Sequence, residues 1–474
     1  MATFDSLQLA VDGEVIVAGA EHYEWARKPF MARFDSIRPQ AVVRCRSAGD
    51  VSETVAFARA HDIRLAVRSG GHCFAGHSST DGIVIDVSPM CSIALDNGLV
   101  RTGSGLRLGV MNDVLFAHGL TIPAGSCPSV GIGGTALGGG LGVLGRKYGL
   151  TCDHLESAEI VLADGTVRTC DAGHDPDLFW ALRGAGKGNF GVATSFAFRP
   201  RIAPDMVNFY LVWPMSDGVA VTDAWQRWAP FAPDDVAAGL AYSALPGDSP
   251  PVVELYGAIV GTAAEAEPLL AQFVAAAGVQ PVESSIEQMT YQGTSQYQAE
   301  LLAAANSQVD TGQVGPVERQ GPRWTKSEFF EQLLPLSAIQ ALVAAFDHDR
   351  QPGQYRGLEW APWGGAYNRV PVEATAFAHR QQLFSLKHAL LLDFDATEQD
   401  QQRAADWVRR SWRSVHPWGS GRVYPNFPDP ELVDWERSYY GEHVDKLRRI
   451  RSDYDPAGVF NFSQSIPTLA EAAR

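Results

Sequence analysis

What the chain lacks narrows it first. Nowhere in its 474 residues do 18 apolar residues run together, and the N-terminus MATFDSLQLAVDGEV has neither the basic start nor the unbroken apolar run of a secretory signal. Basic residues are scarce: 38 Lys and Arg stand against 54 Asp and Glu, and a net charge of −16 repels phosphate backbones and anionic lipid alike. The expectation is a cytoplasmic protein with no nucleic-acid or membrane partner. Cysteines are few and scattered: Cys45, Cys73, Cys91, Cys127, Cys152 and Cys170 make no CxxC pair, which removes the usual zinc patterns and leaves small buried apolar groups as their ordinary use. His72, Cys73 and His77 lie close together, but Asp81 is poorly placed to join them, and no metal is expected. Internal repeats and low-complexity runs are also absent.

Glycine, by contrast, is concentrated. Nine glycines fall between Gly125 and Gly145, inside the stretch Pro123–His154, at a density that costs any helix or strand too much entropy without a geometric reason. Something must press close to this backbone, and successive exposed N–H groups suit a dinucleotide pyrophosphate. Gly131–Ala136 fits GxGxxA and Gly140–Gly145 fits GxGxxG, yet the entry Pro-Ala-Gly-Ser-Cys-Pro cannot be the central strand that a Rossmann site requires. A nicotinamide dinucleotide held in that way is rejected.

A second segment, AVRSGGHCFAGHSS from Ala66 to Ser79, breaks an apolar strand into a glycine-rich turn bearing His72 and His77, while Cys127 sits in the loop Gly125-Ser126-Cys127-Pro128-Ser129-Val130. With these two motifs the chain resembles a bacterial member of the berberine-bridge-enzyme-like FAD-linked oxidases of the vanillyl-alcohol-oxidase superfamily. The resemblance implies FAD bonded twice, His72 to the 8α-methyl and Cys127 to C6. It also implies flavin contacts from Arg68, Ser69, Gly70, Gly71, Gly76, His77, Ser78, Gly125, Val130, Gly131, Gly133, Gly134, Gly138, Gly139 and Gly142. The segment Gly184–Gly191 resembles the family loop G-G-G-N-F-G and adds Asn189, Gly191 and Val192, with Ala185 and Lys187 standing where the family has glycine. Near the C-terminus, Tyr424-Pro425-Asn426-Phe427-Pro428-Asp429 resembles Y-x-N-Y-x-D, so Tyr424 and Asn426 join the cofactor set; Asp455–Pro467 resembles the family's terminal motif.

The expected fold class is α+β, in two domains. An FAD-binding domain is assembled from residues 1–203 and a returning segment 417–474, and a substrate domain, 204–416, carries an antiparallel sheet covered by helices. Short strands are expected at Val42–Arg44, Ile63–Val67, Gly82–Val87, Ser92–Leu95 and Leu99–Thr102, the last two joined at Asn97-Gly98, with a helix capped by Asp50 and running through His61. Beyond Pro200 and Pro204 the strands lengthen, as at Asn208–Trp213, Val252–Val260 and Phe384–Phe394. The least patterned stretch, 292–320, reads as a loop near the entrance.

The resemblance implies an oxidase: hydride passes from an alcohol, hydroxylated ring or amine to flavin N5, and the electrons pass on to O₂ as hydrogen peroxide. Val130 resembles the small residue that family oxidases carry there. An O₂-independent dehydrogenase or oxidative cyclase is the alternative, and a non-catalytic flavin protein a third reading. The chain is expected to act as a monomer or homodimer on a small molecule. Trp360, Trp363 and Tyr367 would serve as sugar platforms or as core. Phe74 and Phe427 replace family tyrosines, so a general base must come from elsewhere: His388, on the strand after Ala378-His379-Arg380, titrates in a useful range and shares a face with Phe384 and Leu386. Tyr367 and Tyr424 are the substitutes.

Overall fold

The structure, a computed structural model, describes residues 4–473 apart from 248, 307 and 311–316; of 302–306, 308–310 and 317–318 only the backbone course is described. The chain begins with a small sheet in which Ala41–Arg44 and Leu65–Arg68 both run parallel to Ile83–Asp86, which lies between them. The crossover helix Ala48–Ala60 is capped one turn earlier than expected: Ser47 accepts from the Asp50 N–H, so Asp50 is the third helical residue, and its carboxylate accepts from the Asp12 and Arg46 amides. A second, antiparallel sheet orders Ile93–Asp96, Leu99–Gly103, Val192–Phe198, Leu155–Val161 and Val167–Asp171. Its first hairpin turns on Asn97 and Gly98, both at positive φ, as a two-residue primed turn requires.

The rest is organised on one antiparallel sheet of seven strands, in the order Glu283–Thr290, Asp205–Pro214, Val252–Val260, Val236–Ala244, Tyr355–Pro362, Phe384–Leu391, Arg323–Phe330. One face is apolar and carries the helices Gly218–Trp228, Ala263–Ala277, Leu336–Phe346 and Glu398–Arg413 over a core of Trp213, Trp225, Leu240, Leu255, Trp360 and Leu386. The other face carries Tyr, Glu, Lys and small residues and is left open. That alternation is what a half-covered antiparallel sheet produces. The stretch expected as a loop is instead a helix, Tyr291–Asn306, followed by a short hairpin; residues 307 and 311–316 of that expectation lie outside the described residues. The tail returns to the N-terminal part, where Tyr439, Tyr440, Leu447 and Ile466 pack with Leu106, Phe179 and Phe190.

Candidate active site

A cavity of about 780 Å³ lies between the glycine-rich loops and the open face of the seven-stranded sheet. The turn bearing His72 leaves the strand Leu65–Arg68 and is braced by the buried Arg68 guanidinium, which donates to the carbonyls of Ser78 (3.0 Å), Ala26 (2.6 Å) and Arg27 (2.9 Å). Phe30 stacks on the His72 ring at 3.7 Å. Burial, helped by the nearby Arg107 charge, holds the imidazole down to about 3, so the ring is neutral and keeps the lone pair that attack on a carbon needs.

The Cys127 loop is fastened to that turn by backbone. A Cβ on Gly70 would sit 2.4 Å from the Gly131 nitrogen, and one on Gly131 would sit 2.1 Å from Ser69 Oγ, so these two glycines permit the loops to touch. Ser69 donates to the Ser104 carbonyl (2.7 Å) and Arg107 to the Ser129 carbonyl (2.7 Å). Cys127 is half-buried, with Sγ 3.5 Å from Ser129 Oγ. The tail closes the same loops: Tyr424 Oη accepts from the N–H groups of Gly140 (2.8 Å) and Leu141 (3.0 Å) and from the Asn426 amide (3.1 Å). Tyr367 Oη donates to the Gly142 carbonyl (3.0 Å). Burial keeps both phenols protonated, Tyr424 up at about 12 against the pull of its donors and Tyr367 well above its ordinary value.

Of the residues expected to hold a cofactor, Ser69, Gly70, Gly71, His72, His77, Ser78, Gly125, Cys127, Val130, Gly131, Gly133, Gly134, Gly142, Asn189, Gly191, Tyr424 and Asn426 line this cavity. Arg68, Gly76, Gly138, Gly139 and Val192 do not. Arg68 is the brace just described, Gly76 lies under the Phe34 ring, Gly138 and Gly139 make room for Asn426 and Phe377, and Val192 belongs to the core beside Val161. Much of the glycine density thus admits protein rather than ligand. Gly134 is different: it lines the cavity, and a Cβ there would meet no protein atom within 4 Å. Inside the same cavity His72 Nε2, Ser78 Oγ and Ser104 Oγ are buried without a hydrogen-bond partner among the described residues, which suits a large guest with polar groups such as FAD.

His388 is corrected. It is fully buried on the helix-covered face, where Nδ1 lies 2.8 Å from Ser411 Oγ, and burial holds it down to about 3. Its strand neighbours Phe384, Leu386 and Leu390 take it into the core with them. Trp360 and Trp363 border the cavity but are almost wholly buried in aromatic packing, the first against Tyr242 at 4.6 Å and the second against Tyr367 at 4.4 Å. The opposite side of the His388 strand presents Lys387, whose Nζ is 2.6 Å from Glu359 and 4.9 Å from the Phe427 ring centroid. Phe427 stacks with Phe74 at 5.5 Å, and Arg323 lies over Phe74 and 3.9 Å from Glu359. Burial works against the Glu359 charge, but Lys387 and Arg323 outweigh it and hold the carboxyl below its ordinary value. Sequence reasoning missed Glu359, Lys387, Tyr256 and Glu254; the signal was the period-two alternation of the substrate-side strands. It also undervalued Cys73, which lines the cavity: burial raises its thiol, but the His77 hydrogen bond and the His77 and Lys187 charges bring it down to about 6.

Two turns, one carrying a neutral histidine and the other a cysteine, on a large cavity backed by an antiparallel sheet define a flavoprotein oxidoreductase. Residues 39–171 match the FAD binding domain family model, and 423–467 match the berberine and berberine like model. An uncharacterized FAD-linked oxidoreductase of Bacillus subtilis, YvdP, is 32% identical across 96% of this chain and 98% of its own. The structure of Physcomitrella patens BBE-like 1 superposes with a TM-score of 0.86 over 98% of this chain and 99% of that one, at 26% identity. A glucooligosaccharide oxidase of Acremonium strictum, described with a 6-S-cysteinyl, 8α-N1-histidyl FAD, matches in fold with a TM-score of 0.85 over 99% of this chain and all of that one, at 24% identity. The chain belongs to the berberine-bridge-enzyme-like family of FAD-linked oxidoreductases.

Proposed function

We propose that this chain is an oxidase carrying FAD attached through both His72 and Cys127, acting on an alcohol, hydroxylated ring or amine. The observation that supports it most is the joint at Gly70 and Gly131, which seats a neutral imidazole and a thiol on two touching loops of one cavity. When bound, FAD supplies the acceptance of two electrons from the substrate and their return to O₂ with release of hydrogen peroxide. The residues hold, orient and take the proton. Arg68 fixes the His72 turn, and Tyr424 with Asn426 fixes the glycine stretch. The Tyr367 and Tyr424 phenols are protonated and spent on this backbone, so the proton acceptor on the substrate side is assigned to Glu359, held ionised by Lys387 next to Phe427. The division at 203 and 416, a cytoplasmic location, and a monomer or homodimer belong to the same proposal; among the described residues no helix is long and apolar enough to cross a membrane.

Acid precipitation of the purified protein tests the attachment. The wild-type precipitate stays yellow, His72→Ala and Cys127→Ala each keep the colour through the remaining bond, and the double variant releases FAD to the supernatant. Release of all FAD from the wild type overturns the reading. Stopped-flow mixing of the reduced protein with air tests the oxidase assignment, since reoxidation lasting many minutes would make the protein a dehydrogenase or cyclase. With a substrate found by peroxide release, Glu359→Gln is expected to slow anaerobic flavin bleaching about 10²–10⁴-fold and remove the fall in rate at low pH. If Tyr424→Phe has that effect and Glu359→Gln does not, Tyr424 is the acceptor.

A further inference from the structure

The open face of the seven-stranded sheet has a shape that no step above uses. Along the strand Val236–Ala244 the residues facing the cavity are Ala237, Gly239, Ala241 and Ser243, all small. The strands on either side raise walls. Ala241 pairs with Glu254 on one flank and with Glu359 on the other, so the backbones that carry the two glutamates stand about 10 Å apart, two strand spacings, across a floor of minimal side chains. The result is a trough with Glu254 and Tyr256 on one bank and Tyr355 and Glu359 on the other.

The banks differ in charge. Glu359 is paired with Lys387, and Arg323 lies on the same side. Among the described residues Glu254 accepts from the Tyr210 and Ser243 hydroxyls only, and no cation lies within ion-pair distance of it. Two neutral donors orient a carboxylate but leave its charge uncompensated, and such a charge in a partly buried wall favours a cationic guest over a neutral one. Beside it, the Tyr256 ring covers Gly239, burial pushes its phenol well above the ordinary value so that it keeps its proton, and its hydroxyl makes no hydrogen bond among the described residues. Tyr210 and Tyr256 add aromatic rings on the same side, the surroundings that hold alkylammonium groups.

We infer that Glu254, with Tyr256 and Tyr210, is a subsite for an ammonium group on the substrate, on the bank of the trough away from Glu359 and Lys387. The inference deepens the proposed oxidase reading, since it names the charge its substrate carries, but it concerns binding and is tested without turnover. Calorimetric titration of the holoprotein compares choline with its neutral isostere 3,3-dimethylbutan-1-ol and with the neutral disaccharide cellobiose. Choline is expected to bind at least tenfold more tightly than the isostere and than cellobiose. Glu254→Gln is expected to erase that preference with the flavin spectrum and thermal midpoint kept, and Tyr256→Leu to reduce it. Equal binding of choline and its isostere to the wild type overturns the subsite, as does cellobiose binding that matches or exceeds that of choline, or choline binding unchanged in Glu254→Gln. The wild-type comparison stands even if the variant fails to fold. Loss of FAD on acid treatment would sink the attachment reading and leave these titrations unaffected.

Discussion

The two faces of the seven-stranded sheet are made by the same strands and answer to different physics. On the covered face Phe384, Leu386, His388 and Leu390 meet the helix Glu398–Arg413, and the one polar member, His388, is neutral and tied to Ser411. On the open face one residue away, Lys387 is charged and paired with Glu359. A shift of one position along a strand therefore separates a structural histidine from a site lysine. Chemistry on a sheet belongs to the face that the apolar neighbours leave free.

The comparison can be broken most forcefully from the covered side. Leu386→Ala removes a fully buried side chain and is expected to destabilise by about 3–5 kcal/mol, measured as a shift in the urea midpoint, whereas Tyr256→Phe on the open face should cost less than about 1 kcal/mol. Lys387→Met leaves the Glu359 carboxylate without its partner and should cost about 3 kcal/mol, the lower end of the range for a broken buried pair because the cavity admits water; adding Glu359→Gln should recover most of the loss. Tyr424→Phe strips one acceptor from three N–H donors and is expected to cost about 1–3 kcal/mol, with faster proteolysis of the glycine stretch as a second readout.

A small effect at neutral pH concerns His388 itself. In the fold it takes a proton only near pH 3, whereas in the unfolded chain it takes one near 6.5, so between these values the unfolded chain binds more protons and stability falls as the pH falls. His379 is held down to about 3 by the same burial and adds to the slope. His388→Leu is expected to cost about 1 kcal/mol at pH 8 and to flatten the loss of stability between pH 6.5 and 4, with the rate and pH profile of anaerobic flavin reduction unchanged. A changed profile would return His388 to the mechanism and erase the distinction between the faces.

The sequence by itself determined the family and the two turns that carry it. His72 and Cys127 each sit in a motif whose glycines are demanded locally, and short-range geometry is what residue types and spacing encode. It determined the parallel crossover, the Asn97-Gly98 hairpin and the long strand Val252–Val260 for the same reason, and the start of the strand at Phe384, which ends at Leu391 rather than at the expected Phe394. The apolar partners Phe384 and Leu386 of His388 were legible too, and an apolar set goes to the core, but the helix that covers it lies downstream and only packing chose it. Three further decisions needed the tertiary structure. The glycine stretch makes room for Tyr424, Tyr367, Phe377 and Asn426, all distant in sequence. The unpatterned residues 291–306 became a helix because Thr294 and Tyr291 pack against the strand Asp205–Pro214 and the helix Leu108–Phe116. The trough between Glu254 and Glu359 exists because antiparallel register sets three strands side by side: Ala241 meets Glu254 across a short connection, but its pairing with Glu359 joins residues more than 100 positions apart, which no local pattern records.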